Sequence, residues 1–119
     1  GWAAALRRRD MKQQFVRDLK EGVAVDSEFA LRSRDLRSAR TGEPFLSLEI
    51  ADRSGRMPAV MFRPSAREES LPVGSVVRVV GKVSSYRGIR RVSVESMLPE
   101  DDFDAADLMP SGMRDRAVG

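Results

Sequence analysis

Phe45-Leu46-Ser47-Leu48-Glu49-Ile50-Ala51-Asp52, the link Arg53-Ser54-Gly55, and Arg56-Met57-Pro58-Ala59-Val60-Met61-Phe62 form the stretch on which the fold turns. Apolar side chains recur at every second position on both sides of the link, the period of a half-buried strand rather than of a helix. In the first run Leu46, Leu48 and Ile50 face inward, with Phe45, Ser47, Glu49 and Ala51 on the other face. In the second, Met57, Ala59 and Met61 alternate with Pro58, Val60 and Phe62. Asp52-Arg53-Ser54-Gly55 supplies turn-forming residues, so the two runs read as a hairpin.

The same period extends outward. Upstream, a strand from about Val23 to Arg34 points Val25, Phe29 and Leu31 one way. Downstream, Ser75 to Ser85 carries Val77, Val79 and Val83 on one side, and Gly81 in its middle predicts a bulge or a sharp bend. A fifth strand, Arg91 to Leu98, puts Val92 and Val94 inward. Ser65 to Ser70 leaves room for one or two helical turns between the third and fourth strands. The expected fold is all-β: a five-stranded OB-fold Greek-key barrel with a short helix between strands three and four and flexible or helical termini. An SH3-like barrel is the main rival, and it usually lacks the long first loop and the inserted helix.

A chain of 119 residues suits one domain. Residues 1–20 read as a polar, basic extension with Phe15, Val16 and Leu19 as docking points. Residues 21–98 form the barrel, and 99–119 an acidic linker or tail. The chain has no Cys and no His, which excludes disulfides, thiolate nucleophiles, zinc fingers and Ser-His-Asp triads. The acidic run Glu100, Asp101, Asp102, Asp104, Asp107 lacks the Gly and Glu spacing of an EF-hand, so neither a metal nor another cofactor is expected. No apolar run approaches the roughly 18 residues of a membrane span. The apolar start Trp2 to Leu6 precedes Arg7-Arg8-Arg9, the reverse of a secretory signal, and the expected location is cytoplasmic.

Two segments concentrate positive charge. The first-to-second-strand loop holds Arg32, Arg34, Arg37 and Arg40, and the four-to-five loop reads Tyr86-Arg87-Gly88-Ile89-Arg90-Arg91, just past Lys82. In this fold both loops flank the face of strands two and three, where Phe45 and Phe62 stand. Rings between guanidinium groups suit single-stranded RNA or DNA, with bases stacking and phosphates paired. Each element also has a plain structural use. The arginines can be solvated, Phe45 can cap the barrel end, Phe62 can pack under the helix, and Glu49 opposes a phosphate ligand. A protein-interaction or oligomerisation barrel with an acidic partner, touching through exposed Val60 and Phe62, is the alternative. No nucleophile with a base is apparent.

The segment Phe15 to Gly22, Leu36-Arg37-Ser38-Ala39-Arg40-Thr41-Gly42-Glu43-Pro44-Phe45-Leu46-Ser47-Leu48, Ala51 to Gly55, Val76 to Gly88 and Asp101 to Pro110 resemble, in this order, the N-terminal OB domain of YhaM-type 3'-to-5' exoribonucleases. The resemblance implies a domain that holds a substrate strand for a C-terminal HD-type, metal-dependent catalytic domain. With no His, that motif is absent from this chain. The family tends to carry Trp where Phe62 stands and an acidic residue where Arg63 stands. Stacking survives the first change, and the second reverses a charge.

Overall fold

The computed structural model describes residues 12–109. Five strands, β1 (Ala24–Ser38), β2 (Pro44–Asp52), β3 (Gly55–Phe62), β4 (Val76–Tyr86) and β5 (Ile89–Pro99), close into a barrel in the order β1-β2-β3-β5-β4, with β4 returning to β1. All neighbours are antiparallel except β3 and β5, which meet in parallel at Ala59↔Val92 and Val60↔Ser93. This is the five-stranded OB barrel expected from the alternation. A one-turn helix, Ala66–Glu69, follows β3, and Glu68 reaches back to accept from the Ser65 amide and hydroxyl.

The inward residues of the alternating runs form one core. Phe29, Leu31, Leu46, Leu48, Ile50, Met57, Val77, Val79, Val92 and Met97 are all buried in it. Ala51 and Val60 are buried too, although they belong to the outward sets. Val60 lies opposite Ser47 and beside Ser93, flanked by strands on both sides, so it is covered where Phe62 at the strand end is not.

β1 runs farther than its side chains announce. It pairs with β4 as far as Ala30 and with β2 from Ala30 to Ser38, with a bulge between Leu31 and Ser33. Arg32, Arg34 and Arg37 therefore stand on a strand, and the loop proper is only 39–43. After Leu31 the strand is polar except for the exposed Leu36 and carries no apolar period, so only the backbone ladder identifies it as a strand. At Gly81 the register shifts, and Glu95 of β5 is the extra residue.

The segment before β1 packs into the same core. Val16 and Leu19 are buried, and Val16 opens a single 3-10 turn, Val16–Asp18. The buried Asp52 carboxylate holds this segment. It accepts from the Val16 amide at 2.8 Å, from the Ser54 amide at 2.8 Å and from the Ser54 hydroxyl at 2.6 Å, and it lies 3.5 Å from Lys12 Nζ. Lys12 also donates to Ser27 Oγ and to the Glu28 carbonyl, and its ammonium sits 3.7 Å from the Phe29 ring centre. At the other end of the chain, Leu108 is buried on a one-turn helix, Ala105–Leu108. The Arg53 amide donates to the Asp107 carbonyl, which ties that segment to the β2–β3 turn.

The β4–β5 turn is two residues long, Arg87 and Gly88, between the paired Tyr86 and Ile89. Both have positive φ, 53° and 80°, the pattern of a type I′ hairpin, which favours Asn-Gly. A β-carbon at the first position is strained. Arg87→Asn is expected to stabilise the domain by about 0.5–1 kcal/mol while removing one positive charge, measurable by urea denaturation.

Candidate nucleic-acid interface

Because directly paired strand residues share a face, the register tells which side chains stand together. One row crosses the outer sheet through Arg37, Phe45 and Phe62. The two rings lie 5.5 Å apart, tilted by 37°, and Phe62 is 48% exposed. The next outward row runs Asp35, Ser47, Val60, Ser93 and Lys82 across all five strands. Beyond it, Arg91 stands opposite Ser84 and Tyr86 opposite Ile89. The Arg91 and Arg87 guanidinium carbons lie 4.4 and 5.2 Å from the Tyr86 ring centre.

Phe45, Phe62, Arg37, Lys82, Arg91 and Tyr86 thus share one outward face. Arg87 tops the hairpin and Arg40 stands exposed in the loop after β1. Arg34 and Arg90 are elsewhere. Arg34 pairs with the inward Leu48 and donates to the Leu71 carbonyl. Arg90 adjoins the inward Val92 by two residues and donates to the Leu19 carbonyl. Both guanidiniums are engaged by main chain at the barrel ends. Arg32 occupies the β1 bulge and borders the cavities beside the β2–β3 turn rather than the ring pair.

Charge on this face is uneven. Asp35 and Glu49 sit on the β1–β2 side, whereas the β4–β5 side presents Lys82 and Arg91, with the exposed Glu95 at the β5 bulge. Arg63, just past β3, is paired with Glu43 at 2.5 Å. Two residues on the face were not singled out from sequence: Ser84 and Ser93, whose hydroxyls lie 3.0 Å apart. The outward parity next to Val92 was their only signal. An apolar cavity of about 470 Å³ lies away from the ring pair, between β1, residues 73–76 and residues 103–109. Among the described residues no group of three or more Asp and Glu is placed to hold a metal ion, and no helix is long and apolar enough to cross a membrane.

A closed five-stranded barrel in the order β1-β2-β3-β5-β4, with a parallel β3–β5 contact, defines the OB fold. The chain belongs to the tRNA anti-codon family, described as "OB-fold nucleic acid binding domain", whose pattern matches residues 30–100. It is 32% identical over 84 residues to the 3'-5' exoribonuclease YhaM of Halalkalibacterium halodurans, covering 70% of this chain and 26% of that protein. The YhaM of Listeria welshimeri is 27% identical over 96 residues, of which the match covers 31%. The chain thus spans about a quarter to a third of these relatives. In fold it is similar to a domain of replication protein A from Methanococcus maripaludis, with a TM-score of 0.63, 16% identity, and 75% and 96% of the two chains covered.

Proposed function

We propose that this domain binds single-stranded RNA or DNA with little sequence preference, as the substrate-holding part of a cytoplasmic 3'-to-5' exoribonuclease. Its HD-type catalytic domain would lie outside this chain. The observation that carries the reading is the Phe45–Phe62 pair, tilted, half exposed and aligned with Arg37 on the face that also presents Lys82 and Arg91. Rings of this kind are sequence-tolerant platforms, because every base offers a π-face. The bases stack on Phe45, Phe62 and Tyr86. The backbone follows the β4–β5 side, where the cations are, and avoids Asp35 and Glu49. Arg37, Lys82, Arg87 and Arg91 are the phosphate contacts, with Arg40 at the margin, and Arg34 and Arg90 leave the set.

Fluorescence anisotropy with a labelled ten-nucleotide strand tests this. If four phosphates are neutralised, log affinity falls against log salt with a slope of about −3. Phe45→Ala or Phe62→Ala weakens binding by about 5- to 150-fold, the worth of one base–aromatic stack. Absence of binding at low salt overturns the reading. The docking alternative through Val60 and Phe62 loses half of its surface, since Val60 is buried. Two experiments address the larger assignment: locating a His-Asp motif in the intact gene product, and assaying that product for manganese-dependent release of nucleotides from the 3' end.

A further inference from the structure

We propose that the outward face of the β4–β5 hairpin is a built site for one internal backbone phosphate, with Ser84 and Ser93 as positioning residues beside Arg91 and Lys82. The inference rests on the nucleic-acid reading above and assigns one locus within it.

Four side chains form a compact block on the ladder. Ser84 stands directly opposite Arg91 and Lys82 directly opposite Ser93, while the two serine hydroxyls meet across the diagonal at 3.0 Å. A hydroxyl pair consumes one hydrogen between its members and leaves the other to donate outward. Arg and Lys only donate. The block is therefore rich in donors, which suits the acceptor oxygens of a phosphodiester better than a base edge that mixes donors and acceptors. Asp35 and Glu49 belong to β1 and β2, and on β4 and β5 the exposed Glu95 stands at the β5 bulge, two residues past Ser93.

Arg91 carries the second observation. Its Nε is buried and has no hydrogen-bond partner, although its guanidinium carbon lies 4.4 Å from the Tyr86 ring centre. A buried donor without a partner is costly, and a ligand oxygen reaching it would remove that cost. Contact with Tyr86 limits where the planar fork can point, so less freedom is lost when a phosphate binds. The adjacent ring offers a base of the same strand a place to stack.

The test replaces one phosphate at a time by an uncharged methylphosphonate along a ten-nucleotide strand, with and without a terminal 5'-phosphate. Wild-type protein is expected to show a single internal linkage at which the replacement weakens binding at least tenfold, against twofold to threefold elsewhere. In the Ser84→Ala, Ser93→Ala double variant the penalty at that linkage should shrink to the background value, with thermal melting unchanged. Arg91→Lys should shrink it likewise, since an ammonium cannot reproduce the fork. An even penalty at every linkage, or a peak that persists in both variants, overturns the site while leaving the nucleic-acid reading intact. A peak that appears only with the terminal phosphate assigns the block to a strand end and also overturns it. Absence of any binding by wild-type protein removes both.

Discussion

Asp52→Ala is expected to destabilise the domain by about 3–5 kcal/mol, the typical cost of leaving one member of a buried ion pair alone. For a fold whose whole margin is commonly about 5–15 kcal/mol, that removes most of the stability at the low end of the range and about a fifth to a third of it at the high end. The carboxylate is the acceptor for two main-chain amides, of Val16 and Ser54, and for the Ser54 hydroxyl, and it faces Lys12 Nζ at 3.5 Å. Removing it orphans those donors and strands an ammonium whose side chain is almost wholly enclosed. Loosening should spread to the N-terminal segment, because Val16 and Leu19 are held in the core through the same contact. Asp52→Asn keeps one acceptor and the shape, so it should cost less. Urea denaturation of the three proteins measures the series, and an Asp52→Ala value within 1 kcal/mol of wild type would refute this account.

Lys12 adds a pH dependence of definite sign. Burial lowers its pKa from the usual 10.5, against the opposing pull of Asp52 and Glu28. Between the lowered value and 10.5 the unfolded chain binds more protons at this position than the folded one, so this group's contribution to stability rises with pH across that window. Below the window the penalty of the buried charge is fully present. Lys12→Met should remove this upward slope from denaturation curves collected between neutral pH and pH 10.5.

The barrel was legible because burial imposes a period of two wherever a strand has an apolar face. Leu46-Leu48-Ile50 and Met57-Ala59-Met61 could face only one way, and they do. The second half of β1 escaped because Arg32 to Ser38 has no apolar period to read; it is a strand by virtue of its ladder with β2. Parity also decided which arginines share the ring face. Val92 inward places Arg91 outward and Arg90 on the opposite side, a step available from the sequence once the two-residue turn is known. Arg34 was harder, since the bulge at Arg32 resets the alternation after Leu31. The Lys12–Asp52 contact joins residues forty positions apart and has no local signature at all. Ser84 and Ser93 were inconspicuous because a small neutral side chain draws notice only when its neighbours across the ladder are known.

Gly81→Ala should be at least as damaging, for a reason that concerns backbone alone. A β-carbon at Gly81 would lie 2.1 Å from the Ser93 carbonyl oxygen, with the Ser93 carbon at 3.0 Å and Val94 Cα at 3.1 Å. None of these atoms can rotate away, so relief requires β4 and β5 to part beside the Glu95 bulge. The expected loss exceeds about 3 kcal/mol, beyond the usual 1–3 kcal/mol for overpacking a core where side chains can adjust. Gly88→Ala is the control. It adds the same methyl group in open space, where only the positive φ of 80° resists, and should cost about 1–2 kcal/mol. The two variants also separate in function. Ser93 and Lys82 are paired at the position next to Gly81, so any Gly81→Ala protein that folds should have a displaced Ser93 amide resonance and weakened strand binding, with the Phe45–Phe62 pair intact. If Gly81→Ala melts within a few degrees of wild type with the Ser93 resonance unmoved, then β4 and β5 do not approach this closely, and the paired block of Lys82, Ser84, Arg91 and Ser93 loses its geometric basis.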